Sequence, residues 1–328
     1  MKQLRKLLKK SSNFLILMHT NPDMDAIGAA YALLLTLREQ GKSVFIGIER
    51  PLYEKYSFFI PTPDLHNFFL TKNEIMHKEF DWVITVDTSE PFMLGEYTDY
   101  IKTKNSIVID HHHTFTPFGT INLNLSQMSS TCEMIYDLLE GKLTSLDMAT
   151  ALYAGIVYDT GNFRYSSTTP ALMRKIAGIL ETFPLDTEAV FFHIFENESL
   201  ERKKLIAKIV TSIEQHADGE VVVSYFPLKY KKGLELEDSD MLDLVSIGHS
   251  VKDCRVSVFV KEKEDGIYFS FRSRNDFDVA ALARQWGGGG HQKASGLKLQ
   301  QISLEKVRAD FIPQFIEHYN HWRVSHAS

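Results

Sequence analysis

The chain has 328 residues, enough for two domains at about 100 to 200 residues each. With 44% hydrophobic and 24% charged residues it sits near the globular average, which excludes a disordered or fibrous chain. A net charge of -6 excludes a protein that coats long nucleic acid by displacing counterions, but leaves room for a small phosphorylated ligand.

From the N-terminus, the basic start MKQLRKLLKK leads into an apolar run, Phe14 to Met18, that is too short for a signal peptide and meets acids at once. No apolar run approaches the roughly 18 residues of a membrane span, so no membrane association is expected. Phe14 to Met18 predicts a buried strand, and Ala26 to Gln40 a helix with Gly41 at its C-cap. Val44 to Ile48, Trp82 to Val86 and Ser106 to Ile109 predict further strands, continuous in apolar character as in a sheet covered on both faces. Cys132 lies in a predicted helix, Ser130 to Glu140, and another helix spans Leu146 to Val157. The alternation predicts an α/β fold with a doubly wound, mainly parallel sheet over residues 1–185.

Residues 186–217 read as a helical linker, and 218–328 as a smaller α+β domain. Its predicted strands are Val221 to Phe226, Arg255 to Val260 and Ile267 to Phe271, followed by helices at Val279 to Trp286 and Leu304 to Tyr319. Cys132 and Cys254 are far apart and fit neither a disulfide framework nor a structural zinc site, so a reducing, cytoplasmic location is expected.

Polar residues gather where the predicted strands and helices of the first half end. The first strand runs into His19, Asp23 and Asp25, the strand WVITV into Asp87, and SIVI into Asp110, His111, His112 and His113. Carboxyl ends of neighbouring parallel strands line one crevice, so these segments can converge. Asp159, after an apolar helix, adds a carboxylate from the side. Singly, each acid is as well explained by capping or turn formation. Together, unpaired carboxylates about 4 Å apart would repel by about 4 kcal/mol per pair at an effective dielectric near 20. Two divalent cations would cancel four such charges, with histidines as neutral ligands and a cation-bound hydroxide as nucleophile for phosphoryl displacement.

His19-x-x-Pro22-Asp23-x-Asp25-Ala26-x-Gly28, then Asp87, then Asp110-His111-His112, then Asp159 resemble the four motifs of the DHH phosphoesterase superfamily. The resemblance implies one cation held by His19, Asp23 and Asp87 and another by Asp25, Asp87, His111 and Asp159, most often Mn2+. It also implies that His112 faces the substrate phosphate, with Asp110 orienting a histidine ring. His113 and Asn162 are left without a role.

The segment 268–298 holds five basic residues against two acids and contains Arg272-Ser273-Arg274 and Trp286-Gly287-Gly288-Gly289-Gly290-His291. Consecutive glycines let backbone amides approach an anion, and the arginines add charged donors. A plain flexible loop is the bland alternative. In this order the motifs resemble the GGGH type of DHH-associated domain, so Arg272, Ser273, Arg274, Gly288, Gly289, Gly290 and His291 are expected to bind substrate. Gln292 departs from the usual Pro after the histidine.

Overall, the resemblance covers about residues 12–318 and is of the NrnA type. It implies hydrolysis of short single-stranded oligoribonucleotides of about two to five nucleotides to mononucleotides, extending to the 3′-phosphate of 3′-phosphoadenosine 5′-phosphate. A linear or cyclic dinucleotide phosphodiesterase and a non-catalytic nucleotide-binding regulator stay open as alternatives, and the oligomeric state as monomer or homodimer.

Overall fold

The computed structural model describes residues 1–326 apart from 50, 51, 53–55, 57, 237, 238, 242 and 243. Two compact units are present, Met1–Asn197 and Glu198–Ser328.

In the first unit six strands form one parallel sheet: β1 Asn13–Leu17, β2 Ser43–Gly47, β3 Phe69–Leu70, β4 Trp82–Val86, β5 Ser106–Asp110 and β6 Ile121–Asn124. Their order is β3-β2-β1-β4-β5-β6, so the strand order reverses between β1 and β4. At such a switch point the connections leave on opposite faces and a crevice opens beyond the strand ends. Along β1, Phe14 and Ile16 join a core with the helices Met24–Glu39, Thr131–Leu138 and Leu146–Asp159. Leu15 and Leu17 point the other way, toward Leu94, Tyr97 and Ile101. Period-two alternation thus becomes a sheet buried on both faces, as the continuous apolar runs predict. The strands β3 and β6 were not predicted. Two residues leave β3 no pattern, and the alternating INLN of β6 is only partly buried at the sheet edge.

Close helix contact fixes the acid-bearing end of the sheet. A Cβ on Gly28 would run into the Ala151 carbonyl, and one on Gly155 into the Cys132 Sγ and the Asp25 Cα. The helix Met24–Glu39, which starts at the Asp23 cap, and the helix Leu146–Asp159, which ends at Asp159, can approach this closely only because both positions are glycine.

In the second unit the sheet order is β11-β12-β10-β9-β8-β7, from β7 Glu214–His216, β8 Val221–Phe226, β9 Val256–Lys263, β10 Gly266–Ser273, β11 Gly289–His291 and β12 Ala294–Leu299. All pairings are antiparallel except β8 with β9. Phe269 and Phe271 of β10 pack against Phe311 and Phe315 under the C-terminal helices. On the opposite face Leu205 and Ile209, from the helix Leu200–Val210, pack against Phe226 and Phe259. Residues 186–217 are therefore shared between the units, with the helix Thr187–Phe191 in the first and Leu200–Val210 and β7 in the second.

Gly28→Val should destabilise the first unit by about 1 to 3 kcal/mol, the usual cost of overpacking a closed contact. Thermal unfolding followed by circular dichroism checks this. An unchanged melting temperature would mean that the two helices are free to separate.

Candidate active site

β1, β4 and β5 each end at the crevice, and the acid-bearing loops continue from those ends. Asp23 caps the helix Met24–Glu39: its Oδ1 accepts from the amides of Asp25 (2.9 Å) and Ala26 (3.1 Å), which leaves Oδ2 for another partner. Asp25 is fully buried and accepts from the amides of Thr131 (2.6 Å) and Cys132 (2.7 Å). Those amides open the helix Thr131–Leu138, where unpaired N–H groups and the helix dipole favour an anion. Asp87 follows β4 with φ of 54°, a left-handed conformation uncommon outside glycine, and is also buried. Its Oδ1 accepts from the Thr131 hydroxyl at 3.2 Å.

The histidines reach across these acids. His111 Nε2 lies 3.0 Å from Asp159 Oδ2, 3.6 Å from Asp87 Oδ1 and 3.8 Å from Asp25 Oδ2. His19 Nε2 lies 3.7 Å from Asp87 Oδ2. Three donor groups have atoms within 4.8 Å of one another: His19, Asp23 and Asp87; Asp25, His111 and Asp159; and Asp87, His111 and His112. Asp87 is central, with one oxygen toward His19 and the other toward His111. Mixed carboxylate and imidazole donors at this density fit divalent cations.

His112 differs from the other two. Its side chain is 41% exposed, and Nδ1 sits 2.9 Å from Asp110 Oδ1. Asp110 is buried at the end of β5, and Asn124 of β6 approaches its Oδ2 at 3.4 Å while bonding the His112 carbonyl at 2.9 Å. The ring is thereby held from behind. His113 and Asn162 are exposed.

Electrostatics follow from burial and mutual proximity. Burial, with the charges of Asp159 and Asp87, pushes Asp25 well above the usual carboxylate range. Asp23 is raised by burial and then by Asp87 and Asp159, and Asp159 mainly by burial. Asp87 is the exception: burial opposes its ionisation, but His19, His112 and His111 beside it pull it below the usual range. Burial also works against charge on His111, yet its hydrogen bond to Asp159 and the surrounding carboxylates raise it. For His112 the Asp110 hydrogen bond and Asp87 overcome burial and hold the ring at about 9. Cations bound among these groups would compete with the protons that the raised values favour.

In the second unit the expected substrate residues divide. Burial alternates along β10, placing Tyr268, Ser270 and Arg272 on a half-buried row and Ile267, Phe269, Phe271 and Ser273 in the interior. Ser273 faces inward and donates to the Asn275 carbonyl at 3.0 Å, so it belongs to the interior row and not to the arginine surface. Gly288 donates its amide to the Ala283 carbonyl at 2.9 Å, and a Cβ there would strike the Gly296 carbonyl. Gly290, at φ of 133°, would strike β12 in the same way. These two glycines thus serve close strand packing. Gly289 has open space around it, and His291 ends β11 with its side chain outside the described residues. Arg272 is partly buried and Arg274 exposed.

No sequence motif marks Thr131 and Cys132, whose amides hold Asp25, or Asn124. The only available signal is Ser130 as an N-cap, which locates the helix start without showing what it faces.

Residues 13–156 match the DHH family, N-terminal domain, and residues 203–322 match the DHHA1 domain. The chain is 29% identical over 292 residues to the bifunctional oligoribonuclease and PAP phosphatase NrnA of Thermus thermophilus, covering 88% of this chain and 85% of that protein. It is 28% identical to the cyclic-di-AMP phosphodiesterase GdpP of Bacillus subtilis, over 93% of this chain and 47% of that protein. An exopolyphosphatase-related protein from Bacteroides fragilis shares the fold, with a TM-score of 0.86 at 23% identity, covering 97% of this chain and 95% of that one. With its acid and histidine motifs on a parallel sheet, the chain carries a DHH family N-terminal domain, followed in sequence by a DHHA1 domain.

Proposed function

We propose that the chain is a two-cation phosphodiesterase that hydrolyses very short single-stranded oligoribonucleotides to mononucleotides and also removes the 3′-phosphate of 3′-phosphoadenosine 5′-phosphate. The observation that carries this is Asp87, with one oxygen toward each of two flanking donor groups. His19, Asp23 and Asp87 would hold one cation, and Asp25, His111 and Asp159 the other, with Asp87 shared. Bound there, divalent cations, manganese in our assignment, would supply electrophilic activation of the phosphoryl group and a water of lowered pKa. No side-chain nucleophile is required.

His112 then acts on the substrate directly. Held through Nδ1 by Asp110, whose hydrogen bond raises its pKa, it would donate from Nε2 to a phosphoryl oxygen or protonate the leaving oxygen. Arg272 and Arg274 of the second unit would grip a further phosphate, bidentate contact being the property in which arginine exceeds lysine. The formal charge of -6 supports a short substrate, since long strands need a basic track to displace counterions. Likeness to the NrnA relative favours oligoribonucleotides. A linear or cyclic dinucleotide is the second substrate class, favoured by the likeness to the cyclic-di-AMP phosphodiesterase. The two buried free cysteines fit action in a reducing cytoplasm.

The test is a panel of two- to five-nucleotide RNAs, linear and cyclic di-AMP, 3′-phosphoadenosine 5′-phosphate and pyrophosphate, incubated with purified protein and manganese. Rapid release of mononucleotides from the RNAs is expected, and turnover of pyrophosphate alone would overturn the proposal. Asp87→Asn should lower turnover by at least about a hundredfold, in line with the loss of a metal-site or charge-stabilising group.

Metal affinity should also depend on pH. The raised groups, His19, His111, Asp23, Asp25 and Asp159, must all lose protons to act as ligands, so affinity falls as pH falls. Calorimetric titration with manganese at pH 6 and pH 8, in buffers of different ionisation enthalpy, should show tighter binding at pH 8 and net proton release. Equal affinity at both values, with no proton release, would contradict the ligand set.

A further inference from the structure

On the arginine-bearing face of the second unit, the helix Val245–His249 places His249 beside β9 and β10. His249 Nε2 is 3.2 Å from Arg274 Nε, and Nδ1 is 3.4 Å from the hydroxyl of Ser257. Ser257 is buried and stands opposite Arg272 in the β9–β10 register, so both belong to the same face. Arginine Nε can only donate, which makes His249 Nε2 the acceptor, and the ring proton then resides on Nδ1 toward Ser257. That assignment requires the neutral imidazole. Partial burial and the charges of Arg274 and Arg272 keep it neutral by lowering its pKa.

The usual partner that fixes an arginine is a carboxylate, which would also cancel the charge meant for an anion. Among the described residues no acid pairs with Arg274. A neutral histidine holds Nε and leaves the guanidinium charge intact, with both Nη groups available as a fork. Resting on the assignment of Arg272 and Arg274 to substrate phosphate, we propose that His249 is a positioning residue: it orients Arg274 for bidentate contact with a phosphate of the substrate without neutralising it.

The test uses the full chain with manganese and four variants: His249→Ala, His249→Gln, His249→Glu and Arg274→Ala, together with the double variant His249→Ala/Arg274→Ala. Two readouts are taken, KM and kcat on a short oligoribonucleotide, and calorimetric binding of 5′-AMP, a mononucleotide product of the proposed reaction. His249→Ala should raise KM and weaken 5′-AMP binding by about three- to tenfold, the range of one hydrogen bond, with kcat nearly unchanged. His249→Gln, whose amide oxygen can accept from Nε, should recover most of the loss. His249→Glu should bind as poorly as His249→Ala although it can hold the arginine, because it cancels the charge. The double variant should be no worse than Arg274→Ala.

Wild-type KM and 5′-AMP affinity in His249→Ala would overturn the inference, as would additive losses in the double variant, full recovery by His249→Glu, or no 5′-AMP binding by the wild type. Failure of the wild type to cleave any oligoribonucleotide would instead remove the proposed function. The 5′-AMP titrations would then still decide the role of His249.

Discussion

Four carboxylates, Asp23, Asp25, Asp87 and Asp159, meet at one end of the first sheet, and the rest of that unit is arranged around keeping them together. Among the described residues no lysine or arginine pairs with any of them; only histidines lie within ion-pair distance. Backbone groups carry part of the load. The start of the helix Thr131–Leu138 binds Asp25, and the start of Met24–Glu39 is capped by Asp23. Burial raises the cost of every uncompensated charge, so the arrangement favours whatever brings positive charge into it, protons or cations.

That constraint explains features that would otherwise look unrelated. Gly28 and Gly155 bring two helices close enough to press Asp25 against the amides of Thr131 and Cys132. Asp87 sits in a left-handed conformation that directs its two oxygens to different histidines. The reversal of strand order between β1 and β4 places their ends at a common crevice. In the second unit the requirement is the opposite one. The proposed phosphate contact calls for positive charge left unpaired, and a neutral histidine beside Arg274 suits that better than an acid would.

Much of this was legible in the sequence because the relevant patterns are dense. β1, β4 and β5 are largely apolar runs, and an acid or histidine lies at the end of each or within two residues of it, so strand ends and site residues announce one another. Legibility stopped where a residue acts through its backbone or through alternation. Thr131 and Cys132 serve with amide groups, which every residue type possesses. Ser273 stands between two arginines in sequence, but period-two alternation sends it to the interior with Phe269 and Phe271. Gly288 and Gly290 read as an anion loop, whereas they are needed for close packing against β12. His249 lies in a short helix with no motif around it and gains meaning only beside Ser257 and Arg274.

Asp87 stands between the two proposed cation sites and would be shared by both. A crystal soaked with manganese and measured at the metal's absorption edge tests it most directly. Two anomalous peaks are expected, one among His19, Asp23 and Asp87 and one among Asp25, His111 and Asp159, with Asp87 touching both. A single peak, or two peaks of which only one contacts Asp87, would contradict it.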